Sequence, residues 1–222
     1  MTRYAVHTVP GSPYGRSVMA MLEEKGADWR LAPIDQADVH GPAHVALHPF
    51  GKMPILEWDG RLLYETDAIL RYLDDALPGP SLVPIDLEDR TRINQVMGIC
   101  DAYLFPEGAR VVVFQRVIGP AIVPGFMPDE TAIAEGMPRS HTIFAELSRL
   151  LGHREWFGGR EISLADLMIG PQLELYRRTP EWTDLTVGRE NLCIWLERLE
   201  ARPSMQATLW ERLPDRIAAV AA

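Results

Sequence analysis

Cysteine is scarce. The two in this 222-residue chain, Cys100 and Cys193, are too few for a disulfide scaffold and lack metal-ligand spacing. Each falls among helical apolar residues and reads as a small buried hydrophobe. No apolar run approaches the ~18 residues that would span a bilayer. The N-terminus, MTRYAVHTV, alternates like a strand rather than forming a charged-then-apolar leader. The expectation is a reduced, cytoplasmic protein with no membrane partner. Positive charge is also short: 22 Lys and Arg against 31 Asp and Glu leave a net charge of −9, which argues against nucleic acid as the main partner. Missing as well are a G-x-G-x-x-G after a strand, a Walker loop, H-E-x-x-H and G-x-S-x-G. His141 and His153 have no companions at ligand spacing, so no metal is implied. There are no internal repeats or low-complexity segments.

The most informative stretch runs from Pro49 to Leu73, PFGKMPILEWDGRLLYETDAILRYL. Ile55 to Trp58 is a short apolar run, Asp59-Gly60 a hairpin turn signal, and Leu62 to Tyr64 a second run, which predicts an antiparallel pair of strands. Met53-Pro54 stands just before the first of them, where a strand tolerates proline. After the second, Thr66 reads as an N-cap, Asp67 suits the positive end of a helix dipole, and Ala68, Ile69, Leu70, Tyr72 and Leu73 have helical spacing.

Around that stretch, Arg3 to Val9 reads as a first strand, Tyr14 to the C-cap Gly26 as a helix, and Trp29 to Ile34 as a second strand parallel to the first. Gly41 to Leu47 is a connector, irregular or briefly helical. The order βαβ, connector, ββα is compatible with a thioredoxin-like α/β domain over residues 1–78. Pro78-Gly79-Pro80-Ser81, continuing to Pro84, marks a boundary, and a linker is expected over 79–85. Residues 86–222 then read as all-α. Asp86 to Phe105 is helical, and Pro106 should kink or interrupt it. The VVVF run at 111–114 could be helix or strand. Gly119 to Pro128 is a proline-rich loop, and Asp129 to Leu151 a helix with Pro138 inside. Ser163 caps a further helix with Asp166 three residues on. Asn191 to Glu200 is another, stopped by Arg202-Pro203, and Met205, Leu209 and Leu213 make a last one before an alanine-rich tail.

The order P-F-G-K-x-P, hairpin, E-T-x-A-I-x-x-Y-L resembles the glutathione-binding segment of the glutathione transferases, with His48 in place of the usual asparagine and Thr66 in place of the usual serine. The V-P-G-S-P-Y-G-R-S-V run at 9–18 is similar to the phi pattern, so the chain looks like a serine-type, phi- or theta-like member of bacterial character. The resemblance implies an N-terminal thioredoxin-like α/β domain plus an all-α C-terminal domain, glutathione as co-substrate, a small-molecule electrophile and a homodimer. It also implies a cis Met53-Pro54 bond, which turns the Met53 backbone outward to pair with the peptide of glutathione.

Several residues acquire expected roles from it. Ser12, Pro13, Tyr14 and Gly15 occupy the corner where thioredoxin-like redox proteins carry C-x-x-C, so dithiol chemistry is unavailable. A serine hydroxyl at a helix N-terminus can instead donate to a bound thiolate, the catalytic role implied for Ser12; the alternative is an ordinary helix cap. Tyr14 is a rival donor, or a packing or substrate contact. Arg16 either supports the charge of the corner or is solvated. Glu65 would accept from the ligand's α-amine, while Thr66 and the helix N-terminus hold the γ-glutamyl carboxylate. Lys52 suits the glycine carboxylate, and His40 lies in the connector where phi-type enzymes place a glycine-contacting histidine. The second substrate is expected between the domains, with Tyr14, Tyr103, Phe105, Arg110 and Phe114 as candidates, and Asp101 as a candidate to reach across a dimer. The rival to conjugation is a glutathione-transferase-like binding protein with little turnover, or a glutathione-dependent isomerase, dehalogenase or peroxidase.

Overall fold

The Asp59-Gly60 pair makes the turn its chemistry demands. Both residues have positive φ, 46° and 72°, the type I′ geometry that joins two right-twisted strands in two residues. In the computed structural model, which describes residues 4–214, that turn joins β3 (Ile55–Trp58) to β4 (Arg61–Tyr64). Before them come β1 (Tyr4–Thr8), helix α1 (Pro13–Glu24), β2 (Trp29–Pro33) and the short helix α2 (Pro42–Leu47); helix α3 (Thr66–Ala76) follows. Arg3 and the alanine-rich tail lie outside the described residues.

The four strands form one sheet in the order β2-β1-β3-β4. β1 and β2 run parallel, as a strand-helix-strand crossover requires, and β3 is antiparallel to both β1 and β4. Val6, Leu31, Ile55 and Leu56 of the sheet are buried, as are Val18, Met19, Met21 and Leu22 of α1 and Ile69, Leu70 and Leu73 of α3. Helix α1 ends as its sequence requires. Gly26 adopts φ +62, its N–H bonds to the Glu23 carbonyl, and the Ala27 N–H reaches back to Leu22.

The chain divides into two compact units, one from the N-terminus to Ser81 joined by the segment from Ala201 onward, the other Leu82–Glu200. The segment after Ala201, expected with the helical part, therefore belongs with the sheet. It contains a short helix, Pro203–Ala207, and a 3₁₀ turn, Trp210–Arg212, in place of one continuous helix. Polar ties hold it, Ser204 Oγ–H to the Glu24 carboxylate among them. The Arg16 guanidinium donates to the Met205 carbonyl (2.9 Å), and Arg202 grips the Glu24 carboxylate with two bonds of 2.7 Å. Arg16 is buried, so the solvated alternative does not apply. A second buried pair, Lys25–Asp74 at 2.8 Å, pins the end of α1 to α3, while Lys25 also donates to Pro80 and Ser81 to Asp74.

The second unit is helical throughout: α4 (Leu87–Ile99), α5 (Gly119–Ile122), α6 (Glu130–Leu151), α7 (Leu164–Arg177), α8 (Trp182–Thr186) and α9 (Glu190–Glu200). Asp86 caps α4 by accepting from Glu88 and Asp89 N–H. Pro106 does not break the chain's helical course. From Cys100 to Ala109 the helix widens to π turns with the proline inside, and Phe114–Ile118 is wide as well. Val111 to Phe114 is thus not a strand.

Asp166 holds this unit together locally. Its carboxylate is fully buried and accepts four bonds: from Phe157 N–H (3.0 Å), Trp195 Nε1–H (2.7 Å), Ser163 N–H (2.8 Å) and Ser163 Oγ–H (2.6 Å). Burial pushes its pKa up, while the four donors favour the charged form. Asp166→Asn turns an NH₂ toward donors and is expected to cost about 3 kcal/mol or more in urea unfolding. A loss below about 1 kcal/mol would show that the network is dispensable.

Candidate active site

The register of the sheet assembles the site. Ile55, first residue of β3, pairs with His7 on one side and Tyr64 on the other. The end of β1, the start of β3 and the end of β4 therefore lie side by side. Ser12 follows β1, Met53-Pro54 precedes β3, and Glu65-Thr66 follow β4, so three segments distant in sequence leave the same end of one sheet.

Ser12 is the N-cap of α1. Its Oγ accepts from the Gly15 N–H at 3.1 Å, and no described residue accepts its hydroxyl proton. Cap and donor, alternatives in the sequence, are compatible uses of one hydroxyl: a lone pair serves the helix and the O–H remains to be given. Gly15 is dictated by packing, since a Cβ there would lie 2.3 Å from Thr8 Oγ1. Tyr14, the residue before it, is half-buried.

The Met53-Pro54 bond is cis. Met53 is partly exposed, and its N–H and C=O make no hydrogen bond within the described residues. Glu65 is exposed and its carboxylate is likewise uncommitted there. Its backbone is unusual: φ 69°, ψ 115°, a region L-residues avoid. It occupies the N-cap position of α3 without a side-chain cap bond, so Thr66, expected as the cap, is the first helical residue instead. The Thr66 hydroxyl sits on the first turn, where backbone N–H groups have no helical acceptor.

Two histidines that the sequence reading gave no part at the site shape the segment between α2 and β3. His44 is buried; its Nδ1 accepts from His40 N–H (3.1 Å), which leaves Nε2–H to donate to the Lys52 carbonyl (2.8 Å). His48 is buried as well. Its Nδ1 accepts from Phe50 N–H (3.3 Å), its carbonyl from Gly51 N–H (2.8 Å), and its ring lies 4.6 Å from that of Tyr64. Burial drives the His48 pKa below the ordinary histidine value against the pull of Glu65, with His44 and Lys52 also pushing down. His40 itself is exposed, at φ 67°, with its ring over Gly51, so the structure does bring it beside Lys52. The available signal was the spacing of His40, His44 and His48, each four residues from the next.

Residues 6–81 match the family description "Glutathione S-transferase, N-terminal domain" and residues 114–203 match "Glutathione S-transferase, C-terminal domain". The chain belongs to the glutathione S-transferase family. Among curated relatives, glutathione S-transferase F14 of Arabidopsis thaliana is 29% identical over 85% of this chain and 76% of its own length. Glutathione S-transferase 3 of Zea mays is 27% identical over 94% of both. Of solved structures, glutathione transferase F7 from Populus trichocarpa superposes with a TM-score of 0.82 at 25% identity, covering 95% of this chain and 99% of that one. The transferase fold expected from the sequence is thus the one observed. The curated relatives named here are plant proteins, so the bacterial character expected from the sequence gains nothing from them.

The second-substrate candidates of this transferase are less gathered. Tyr103 lies in the wide turns after α4, 43% exposed, with the Arg139 guanidinium 4.9 Å over its ring. Arg110 is exposed, and Phe114 packs edge-on to Phe126 at 5.7 Å. Asp101 and Phe105 belong to the same wide segment as Tyr103. Among the described residues no His, Cys, Asp and Glu group is placed to hold a metal, and no helix is long and apolar enough to cross a membrane.

The backbone of Glu65 yields a stability test. Glycine adopts positive φ without the steric cost, which for other residues runs to about 1–3 kcal/mol, less the entropy glycine loses on folding. Glu65→Gly is expected to raise the unfolding free energy by about 1 kcal/mol relative to Glu65→Ala. Equal stability of the two variants in denaturant titrations would show that the conformation is unstrained.

Proposed function

We propose that this glutathione S-transferase is of the serine type, phi- or theta-like, and that Ser12 activates the thiol of glutathione for addition to a small hydrophobic electrophile. The observation that carries the reading is the uncommitted Ser12 hydroxyl at the N-terminus of α1, on the sheet end it shares with Met53, Glu65 and Thr66. In this scheme the Met53 backbone pairs with the peptide of glutathione, and Pro54 sets that segment. Glu65 takes the α-amine, Thr66 with the α3 N-terminus takes the γ-glutamyl carboxylate, and Lys52 and His40 serve the glycine carboxylate. Tyr14, Tyr103, Arg110 and Phe114 are assigned to the electrophile. The sparse cysteines suit a cytoplasmic setting.

A free thiol with a pKa of about 8.5 is only about 3% thiolate at pH 7. Lowering it to about 6.5 on the enzyme makes the thiolate the majority form, worth about 2.7 kcal/mol of preference for the charged state. The gain in nucleophile is partly offset because a less basic thiolate is less reactive. Ser12→Ala also removes the cap on Gly15 N–H, at about 1 kcal/mol of stability. The expected result is near-normal glutathione affinity, a raised pKa of the bound thiol, and turnover at pH 7 reduced more than tenfold with partial recovery at pH 9. Glu65→Ala should do the reverse, weakening affinity roughly ten- to a hundred-fold with the thiol pKa kept. A thiolate absorbance titration unchanged in Ser12→Ala would remove Ser12 from the chemistry.

The same reading includes a two-fold homodimer, the sheet unit of one chain against the helical unit of the other. It is supported by the large apolar side chains left exposed on both, among them Phe50 at 68% and Leu87 at 65%. Sedimentation equilibrium at micromolar concentration should give twice the chain mass; the mass of one chain would count against the dimer.

A further inference from the structure

We propose that His48 is a positioning residue that must be neutral for glutathione to bind, so that ligand capture by this chain switches off in mild acid; this rests on the glutathione reading given above. His48 touches both walls of the site. Through its Nδ1 lone pair and its carbonyl it folds the Phe50-Gly51 turn that delivers Lys52 and Met53. Through its ring it packs on Tyr64, the residue before Glu65. His48 is 1% exposed, so its own ring has little access to solvent.

The charged and titratable groups facing it come from every neighbouring segment: His44 of α2, Lys52 of the turn, Tyr64 of β4 and Glu65 at the start of α3. Protonation would act on both walls. The imidazolium has no lone pair for the Phe50 N–H, so that part-buried donor loses its acceptor within the fold and the turn loosens. The new positive charge would also draw on the Glu65 carboxylate, which the α-amine of the ligand needs. His44 and Lys52 disfavour that charge, and burial adds to them, so the neutral form prevails at pH 7 and is lost only as the pH falls below the ordinary histidine range. Asparagine at this position would accept from the Phe50 N–H through Oδ1, in an Asx turn, without titrating.

S-methylglutathione is the probe, because it has no thiol to titrate. Its affinity, measured by calorimetry from pH 7.5 to 5.0, is expected to fall about tenfold in the wild-type chain. His48→Asn should rescue binding and stay flat within about threefold, and His48→Ala should be weak across the range. Superimposable pH profiles for wild type and His48→Asn would overturn the proposal. If no protein binds the probe at pH 7.5, the glutathione reading itself falls, and hydrogen exchange without ligand still decides the role of His48 in the turn. Protection of the Phe50 and Gly51 amides, corrected for intrinsic rates, should drop at pH 5.0 in wild type but not in His48→Asn. Equal protection in both would overturn that role too.

Discussion

Everything at the candidate site depends on the pairing of Ile55 with both His7 and Tyr64. A strand's side chains alternate between faces, so a one-residue slip would bring the half-exposed Glu57 to the face that buried Leu56 and Trp58 occupy. Hydrophobic burial therefore fixes the register, and the register in turn fixes which loops share an end of the sheet. The Asp59-Gly60 turn reinforces it locally by allowing only a two-residue connection. The hydroxyl of Ser12, the backbone of Met53 and the carboxylate of Glu65 are brought together by a constraint that none of those residues supplies.

Elsewhere several polar clusters are fully paired, though the buried Gln172 amide makes no bond among the described residues. Asp166 has four donors; Lys25 and Asp74 are paired and further bonded; Glu24 holds Arg202 and Ser204. At the end of the sheet the pattern reverses. The Met53 N–H and C=O and the Glu65 carboxylate make no bond among the described residues, and Glu65 adds a strained backbone. A strained backbone persists where a fold over-determines it, and here it lies on the sheet end where the proposed function places the ligand.

Most of the first unit could be read in the chain. Local signals carried it: a turn dipeptide with one geometry, a glycine where a helix must end, strands of alternating or short apolar pattern. The second unit was legible in its helices but not in its irregularities. Pro106 was expected to kink or interrupt the helix, and the helix absorbed it by widening, because π turns spread the backbone around a residue that cannot donate. The last helix read in the sequence was divided because its segment packs against the sheet unit, where Arg16 takes the Met205 carbonyl. At the site, Thr66 moved from cap to first turn, and His44 and His48 gained structural tasks.

By itself the sequence determined element types and the hairpin, because each rests on chemistry within a few neighbours, while Ser12, Met53, Glu65 and Thr66 became candidates through the resemblance to the glutathione transferases. Tertiary structure decided that Glu65 holds φ 69° and that His48 lies buried against Tyr64. Those depend on segments far apart in the chain meeting at one sheet end. A bond between distant residues leaves no periodicity in the sequence to be read.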